Sequence, residues 1–400
     1  MSVVGDSVRS MKLAVQVKLQ PTPEQAVALE ATLRACNQAA NWMAGVAFER
    51  RAVRAFTLHP LVYAEARSRF GLGAQAAART IKKTVDAYAT LQALLRNGRL
   101  GKPGSERRTR VEGKPVRFRD DAAQPFDDRM LSWCHDGRTV SIWSVSGRLR
   151  SVEYVGAPEQ LAILAKYRQG ESDLHCRDGQ WFLLATCEVP EADLNRTPES
   201  FLGVDLGIVN IATTSDGRVH AGRGLNRHRT RMVGLRAKLK KKGTKSAKRV
   251  LKRMRRRESR RATDVNHCIA KNIVAEAERT GRGIAVEDLT GICERVRFRK
   301  PGRAAVHSWA FFQLGAFLAY KARRAGVPLV RVDPAYTSQE CSRCHHVERR
   351  NRLAQACFSC RSCGFACHAD RNASQVIAAR GWFAWVCGVP PATPALTLLA

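Results

Sequence analysis

The sequence predicts a multidomain α+β protein: a β-rich domain with a helical insertion, followed by an α/β domain with a small cysteine-rich insert. Three observations support this prediction. Runs of alternating apolar and polar residues before residue 200 are interrupted by an Ala-rich helical stretch. Strand and helix patterns alternate from Phe201 onward. Six of the 13 cysteines lie between Cys341 and Cys367.

The β-rich domain begins with a strand predicted at residues 12–20, in which apolar and polar residues alternate. Further short strands are separated by glycine-containing turns. These runs are 116–119, 129–134, 139–143, 150–155 and 173–189. Residues 99–115 are rich in Gly, Arg and Pro and predict a loop. We therefore assign 11–20 and 100–190 to one β-rich domain.

Residues 21–99 predict a helical insertion between two strands of that domain. Thr22 lies next to prolines and an acidic residue, which favours a helix N-cap at this position. Apolar residues then recur at helical spacing in two stretches. They are Leu29, Leu33, Cys36 and Ala40, and later Ile81, Val85, Tyr88 and Leu91.

The net charge of +33 indicates a polyanionic partner, since Lys and Arg number 68 against 35 Asp and Glu. Nucleic acid is the commonest polyanion in a cytosol. The sequence shows neither an amphipathic membrane helix nor a lipidation site, so a membrane surface is disfavoured. No apolar run is long enough to span a bilayer, and the first ten residues lack the apolar stretch of a signal peptide. We therefore expect a cytoplasmic protein without membrane association.

About half of this charge lies at residues 227–261, where 18 of 35 residues are Lys or Arg and only Glu258 is acidic. Such a run is either a solvated, mobile segment or an extended helix along a nucleic-acid backbone. We favour the second interpretation, because so dense a run with one acid usually meets phosphate. The candidate contacts are Arg236, Lys240, Lys241, Lys242, Lys248, Arg249, Arg253 and Arg256.

Asp205 is the first candidate catalytic residue. It lies on a strand predicted at 201–208, on the same face as Gly203 and Gly207. We expect the two glycines to clear that face, so that a phosphate or a hydrated metal ion can approach. The alternative is an Asp that closes a turn at the end of the strand.

Glu287 and Asp370 are the second and third candidates. Glu287 is expected at the end of a strand at 283–289, with Asp288 as a rival carboxylate and a surface role as the alternative. Asp370 is expected at or just before a helix start, where it could serve as the N-cap; Asn372 is a second candidate for that cap. If the three carboxylates converge, they can hold a pair of Mg²⁺ ions about 4 Å apart, the arrangement that hydrolyses phosphodiester bonds.

The clustered cysteines predict a structural zinc site, because four thiolates in two C-x2-C pairs make a closed tetrahedral set. The pairs are Cys341 with Cys344, and Cys360 with Cys363. Cys357 makes a rival pair with Cys360, but Gly364 favours the chosen frame because it allows the backbone to turn there. The zinc is expected to fold a small insert and to bring Asp370 into place.

At these residues the chain resembles TnpB, the OrfB-type protein of bacterial insertion sequences, a family of RNA-guided DNA endonucleases related to type V CRISPR effectors. The resemblance covers 201–381, including a helix at 309–321. Its motifs are Gly203-Val-Asp-Leu-Gly207, Val286-Glu-Asp-Leu289, Asp333-Pro-Ala-Tyr-Thr-Ser-Gln339, Phe358-x-Cys-x-x-Cys-Gly364 and Ala369-Asp-Arg-Asn-Ala373. Before residue 201 the chain resembles the family only in layout, and His345 stands where the family usually has Gly.

The resemblance implies a β-barrel wedge domain with a helical recognition insert, then an RNase H-like (RuvC) nuclease domain at 200–338 and 364–381. A zinc-binding insert would occupy 339–363 and a C-terminal tail 382–400. Asp205, Glu287 and Asp370 would bind magnesium, and the four cysteines would bind zinc. A guide RNA would lie across the wedge domain and the basic segments. The target would be double-stranded DNA with a short flanking motif.

The leading hypothesis is therefore an RNA-guided, Mg²⁺-dependent DNA endonuclease associated with a transposable element. One alternative is a nuclease-inactive RNA-guided DNA-binding repressor. A structural nucleic-acid-binding zinc protein would explain the charge and the cysteines, but not the three acidic elements. A DNA-strand-joining transposase could use the same carboxylates. The sequence leaves the oligomeric state open.

Overall fold

The computed structural model describes residues 9–289 and 311–388, and the chain divides into two compact units. One unit runs from Ser10 to Val189, and the other contains Pro190 and the residues that follow. The start of the helix predicted at 309–321 and the end of the tail predicted at 382–400 lie outside the described residues. Within the described part of the chain, no helix is long and apolar enough to cross a membrane.

The first unit is built on a seven-stranded sheet. Its strands are β1 (Ser10–Gln20), β2 (Gln124–Phe126), β3 (Leu131–Cys134), β4 (Thr139–Ser144), β5 (Gly147–Val155), β6 (Arg168–Arg177) and β7 (Gln180–Pro190). The order across the sheet is β2-β6-β7-β1-β5-β4-β3. The edge strands β2 and β3 are consecutive in the chain, so they can be at most about 18 Å apart. A flat sheet of seven strands would separate its edges by about 29 Å. The sheet therefore curls into a near-barrel.

Five helices complete this unit: α1 (Pro23–Glu49), α2 (Ala55–Phe70), α3 (Ala74–Arg96), α4 (Glu106–Glu112) and α5 (Pro158–Tyr167). The N-cap predicted at Thr22 is confirmed, and Thr22 forms a capping box with Gln25. The apolar residues at helical spacing in α1 and α3 pack against the sheet in one continuous core. The helical insertion thus shares its core with the sheet.

Two local predictions were wrong. No strand forms at 116–119, because the side-chain amide of Asn41 occupies both backbone groups of Phe118, at 2.8 and 2.9 Å. The loop predicted at 99–115 contains the short helix α4, which begins with Glu106 in its first turn. Helix α5, between β5 and β6, was not predicted.

The second unit is built on a mixed five-stranded sheet of order β10-β9-β8-β11-β12. The strands are β8 (Phe201–Asp205), β9 (Asn210–Thr214), β10 (Val219–Ala221), β11 (Gly283–Glu287) and β12 (Leu329–Val332). The strands β8, β11 and β12 are parallel, whereas β9 and β10 form antiparallel pairs.

Helices cover both faces of this sheet. They are α6 (Arg223–Lys242), α7 (Lys245–Arg279), α8 (Phe311–Arg324) and α9 (Ala369–Val386). Leu202 and Val204 of β8 join the core formed with α7 and α8. Phe201 joins the core with Ile377 of α9 on the other face. Asp205 is therefore expected on the α9 face, because side chains alternate along a strand.

Gly203 has a different role from the predicted one. A Cβ at this position would lie 1.9 Å from the carbonyl oxygen of Ser374 and 2.5 Å from the nitrogen of Ala378, both in α9. The glycine therefore admits the backbone of a helix, and the prediction that it clears space for phosphate or metal was wrong. The close approach brings the start of α9 towards the end of β8.

The basic run forms an antiparallel helical hairpin rather than one extended helix. The helix α6 ends at Gly243, whose φ of 65° is left-handed, and Thr244 caps α7 by accepting from the nitrogen of Ala247. Arg236 of α6 pairs with Glu258 of α7 at 2.6 Å. The single acid of the run thus links the two helices.

Residues between β12 and α9 form a small cysteine-rich element. Its hairpin pairs β13 (Cys357–Ser359) with β14 (Ala366–His368), which lie on either side of the boundary predicted at 363. A small core of Cys341, Phe358, Cys360 and Ala369 lies beneath it.

Candidate functional site

Asp205 and Glu287 end two adjacent parallel strands. The register pairs Val204 of β8 with Val286 of β11, so Asp205 and Glu287 follow side by side. Their side chains share a sheet face because each is one residue past that pair. The two carboxylates therefore meet at the carboxyl edge of the sheet.

Asp370 approaches the same edge from α9. His368 is the N-cap, and its Nδ1 accepts a hydrogen bond from the Asp370 nitrogen at 3.2 Å. The alternative of Asp370 or Asn372 as the cap was wrong, since Asp370 lies in the first turn and Asn372 is fully buried beyond it. Asp370 Oδ2 accepts a hydrogen bond from Asn210 Nδ2 at 2.8 Å. The side chain of Asp370 is thus held by Asn210 of β9, the strand next to β8.

The electrostatics of Asp205 report the proximity of the other two acids. Burial, together with the charges of Glu287 and Asp370, raises the pKa of Asp205 to about 8, and the charge of Arg352 opposes this rise. Burial also raises the pKa of Glu287, against a hydrogen bond from Thr337 and the charge of Arg380. Neighbouring like charges in a half-buried site are unfavourable unless a cation neutralises them.

Carboxylate oxygens are the donors that hard divalent cations prefer. Within the described residues, the acidic trio is not a group whose ligand atoms all lie within 4.8 Å of one another. The three side chains nevertheless supply the oxygen donors that such a cation needs.

The cysteines Cys341, Cys344, Cys360 and Cys363 come together, and their sulfur atoms lie within 4.8 Å of one another. The sulfur atoms are 3.7 Å apart for Cys341 and Cys363, and 3.5 Å apart for Cys344 and Cys360. The group could hold a metal such as zinc, because four thiolates form a closed tetrahedral set. Cys357 lies on β13 outside the group.

The two C-x2-C pairs use equivalent backbone turns. Gly364 follows the second pair at φ 70°, and His345 follows the first pair at φ 58°. Both conformations are left-handed, which glycine adopts without strain and other residues do not. His345 Nδ1 lies 2.9 Å from Glu340 Oε1. His345 thus occupies a position that is typical of glycine.

Hydrogen bonds tie the first cysteine pair to α9. The nitrogen of Ser342 donates to Asn372 Oδ1 at 2.9 Å, and Asn372 Nδ2 donates to the carbonyl oxygen of Glu340 at 2.7 Å. The Ser342 hydroxyl also contacts Gln375 at 3.0 Å. Because Asn372 lies two residues after Asp370, these bonds couple the position of Asp370 to the fold of the cysteine-rich element.

The predicted phosphate contacts lie on the helical hairpin. The side chains of six of the eight are exposed: Lys240, Lys241, Lys242, Lys248, Arg249 and Arg253. Arg236 is half-buried and paired with Glu258, and Arg256 is also half-buried. The exposed Lys and Arg side chains therefore place positive charge on both helices near the tip of the hairpin.

Three residues of the site were not predicted from the sequence: Arg352, Asn210 and Thr337. Arg352 lies between the two cysteine pairs, and its charge reaches Asp205. Asn210 and Thr337 contact Asp370 and Glu287 respectively. A lone Arg, Asn or Thr carries no spacing signal, although Thr337 lies within the motif of residues 333–339 that carries the resemblance.

Two family models match the second unit. The family OrfB_IS605, whose description is "Probable transposase", matches residues 185–291. The Cas12f1-like TNB domain matches residues 311–377. InsQ of Escherichia coli strain K12, named as an RNA-guided DNA endonuclease, is 26% identical over 231 residues, or 52% of this chain and 56% of InsQ. The second unit is thus similar to proteins of the TnpB (OrfB) family.

Two further proteins extend the likeness. A CRISPR-associated endodeoxyribonuclease Cas12f1 of Sulfoacidibacillus thermotolerans is 40% identical over 114 residues, which are 28% of this chain and 26% of that protein. The cryo-EM structure of a Cas12f1–sgRNA–target DNA complex aligns with a TM-score of 0.58 at 15% identity, over 88% of this chain and 82% of that chain. This alignment shows a shared fold. The chain spans about half or less of the length of the two curated relatives.

Proposed function

We propose that the chain is an RNA-guided DNA endonuclease of the TnpB family, which hydrolyses phosphodiester bonds of double-stranded DNA in the bacterial cytosol. The observation that carries this proposal is the convergence of Asp205, Glu287 and Asp370 from three separate segments at one sheet edge. InsQ and the Cas12f1 relatives are named as DNA endonucleases, in agreement with it.

The second unit supports an RNase H-like (RuvC) assignment for 200–338 and 364–381. Three parallel strands flanked by an antiparallel pair, with acidic residues at the ends of β8 and β11, are the arrangement that the family resemblance implies. The near-barrel sheet likewise supports a wedge domain at 11–20 and 100–190, with 21–99 as the recognition insert.

In this proposal Asp205, Glu287 and Asp370 hold magnesium, which supplies an activated water and neutralises the charge that develops on the leaving oxygen. Asn210 orients Asp370 through its hydrogen bond. Arg352 presents a cation beside Asp205, where it can attract the phosphate of the strand to be cut. The four cysteines hold a structural zinc, which fixes the element that carries Arg352.

The helical hairpin is proposed to bind the phosphate backbone of the guide RNA or the target DNA. Replacement of Lys240, Lys241 and Lys242 by Gln should weaken binding for all sequences alike. It should also reduce the salt slope on duplex DNA by about 0.9 for each lost phosphate contact. A matched control replaces three exposed cations outside the hairpin and the wedge domain, Arg324, Arg349 and Arg350. An equal slope change in that control would contradict a specific role for the hairpin.

The main experiment expresses the chain with its native flanking DNA, sequences the RNA that co-purifies, and assays cleavage of a DNA target that matches the variable end of that RNA. We expect one discrete RNA, cleavage that requires Mg²⁺, and loss of cleavage in Asp205→Ala. A discrete RNA without cleavage by the wild-type chain would favour the nuclease-inactive repressor. Heterogeneous RNA that dissociates with salt would favour a structural nucleic-acid-binding protein.

A further inference from the structure

Glu287 is held by a hydroxyl group that comes from another segment. Thr337 Oγ1 donates to Glu287 Oε1 at 2.5 Å, and Thr337 is only 4% exposed. The same oxygen lies 3.1 Å from the carbonyl oxygen of Pro334, within the turn that carries it. The hydroxyl has one proton to donate, and the short distance to the carboxylate indicates that Glu287 receives it.

The segment that carries Thr337 is fixed at both ends by one arginine. Arg380 of α9 donates through Nη1 to the carbonyl oxygens of Asp333 and Ala335, at 2.8 and 2.9 Å. It donates through Nη2 to Glu340 Oε2 at 2.5 Å. Since Thr337 lies between these contacts, the planar guanidinium group of Arg380 holds the turn at a defined distance from α9.

The turn itself has a backbone conformation that needs support. Tyr336, the residue before Thr337, adopts φ 63°, a left-handed conformation that costs a non-glycine residue energy. The nitrogens of Gln339 and Glu340 both donate to the Tyr336 carbonyl oxygen, at 2.8 and 2.9 Å. A strained conformation persists only where its surroundings determine it, and the contacts of Arg380 supply such surroundings.

We propose that Thr337, held by Arg380, is a positioning residue that fixes the carboxylate of Glu287 for metal binding. The hydrogen bond takes one lone pair of Oε1 and fixes the rotation of the carboxylate, and with it the direction of the lone pairs that remain for an ion. The inference rests on the proposed function, since it assigns Glu287 to the magnesium site. Partners that orient a ligand in this way typically change metal affinity by about 10–100-fold when they are removed.

The experiment measures Mn²⁺ binding to the zinc-loaded full chain by the EPR signal of free Mn²⁺, so that no cleavage is needed. Asp205→Ala defines the binding that does not depend on the carboxylates. Thr337→Val replaces the hydroxyl by a methyl group of similar size, Thr337→Ser keeps the hydroxyl, and Ser338→Ala is the matched control on the next residue. Arg380→Gln removes the contacts of the guanidinium group with Asp333, Ala335 and Glu340 without changing a buried side chain.

We expect Thr337→Val to weaken the Asp205-dependent binding of Mn²⁺ by about 10–100-fold, with Thr337→Ser and Ser338→Ala close to the wild type. Arg380→Gln should weaken it in the same direction, with zinc content unchanged. Wild-type affinity in both Thr337→Val and Arg380→Gln would overturn the inference. If the wild type binds no more Mn²⁺ than Asp205→Ala, it is the proposed metal site itself that fails.

Discussion

The second unit brings its two sets of candidate metal ligands together in different ways. Its carboxylates, Asp205, Glu287 and Asp370, come from segments 82 and 83 residues apart and are placed by a sheet and a helix with large shared cores. Its four cysteines lie within 23 residues, in an element whose own core has four buried residues. The first set is positioned by the fold. The second has a small core, so we expect its position to depend on the proposed zinc.

The difference separates the expected effects of the two proposed metals. Binding of zinc to four thiolates supplies folding energy to a small element, whereas ions at the carboxylates relieve repulsion in a site that is already built. Loss of zinc should therefore unfold the cysteine-rich element. Loss of magnesium should leave the fold in place and restore the repulsion among the three carboxylates. The four predictions below test this contrast.

The largest effect is expected from the zinc ligands. Cys341→Ser should abolish zinc binding, unfold the element around 339–368, and reduce cleavage at least 100-fold, because Asp370 and Arg352 lose their support. Zinc content by mass spectrometry, together with hydrogen exchange, measures the first two effects. Cys357→Ser is the matched control and should keep zinc and cleavage. If Cys357→Ser loses zinc instead, the ligand set is wrong.

Arg352 joins the two sites, because it lies between the cysteine pairs and its charge reaches Asp205. Arg352→Ala should reduce the cleavage rate by about 100-fold, as expected for removal of one preorganised charge. Zinc content should be unchanged, which distinguishes this effect from that of Cys341→Ser. Arg349→Ala, on an exposed neighbour, is the control. An equal loss in both variants would indicate only a general effect of surface charge.

Asp205 should make the stability of the magnesium-free chain depend on pH. Burial and the neighbouring acids raise its pKa from 3.8 to about 8, so its protonated form is favoured in the folded state. Its contribution to stability is present below pH 4 and is lost as the pH rises from about 4 to about 8. The loss is on the order of a few kcal/mol, since each pKa unit corresponds to about 1.4 kcal/mol.

Asp205→Asn should remove this dependence and stabilise the chain at pH 8, while cleavage is lost. Thermal unfolding of both proteins in magnesium-free buffer between pH 5 and pH 8 measures the difference. If the stability of both proteins varies with pH in the same way, burial and the neighbouring acids do not raise the pKa of Asp205 as predicted.

The smallest effect concerns the two backbone turns beside the cysteines. His345 adopts a left-handed conformation without being glycine, so His345→Gly should raise the unfolding free energy of the element by about 1 kcal/mol. Gly364→Ala, at the equivalent turn, should lower it by a similar amount. Zinc release by a competing chelator measures both. A lower stability in His345→Gly would mean that the contact with Glu340 outweighs the strain.

Local patterns in the sequence were enough to predict the capping of α1, the strands that contain Asp205 and Glu287, and the C-x2-C frame that the sulfur atoms adopt. The first of these strands ends at Asp205, three residues before the predicted end at 208. They failed where a contact with a residue far away in the sequence determines the local structure. Asn41 prevents a strand at Phe118, and α9 occupies the space above Gly203, contacts that no local spacing reveals. The roles of Thr337 and Arg352 were not predicted for the same reason, since they follow from three-dimensional proximity.

The packing of α9 against Gly203 also has a consequence for the order of folding. The helical hairpin of α6 and α7 consists of local contacts, which form early. The contact of Gly203 with Ser374 and Ala378 closes a loop of more than 170 residues, which carries a larger entropic cost and forms late. A chain that is only partly folded therefore has its cationic helices before it has its acidic centre. Under the proposed function, its capacity to bind nucleic acid would precede its capacity to cut it.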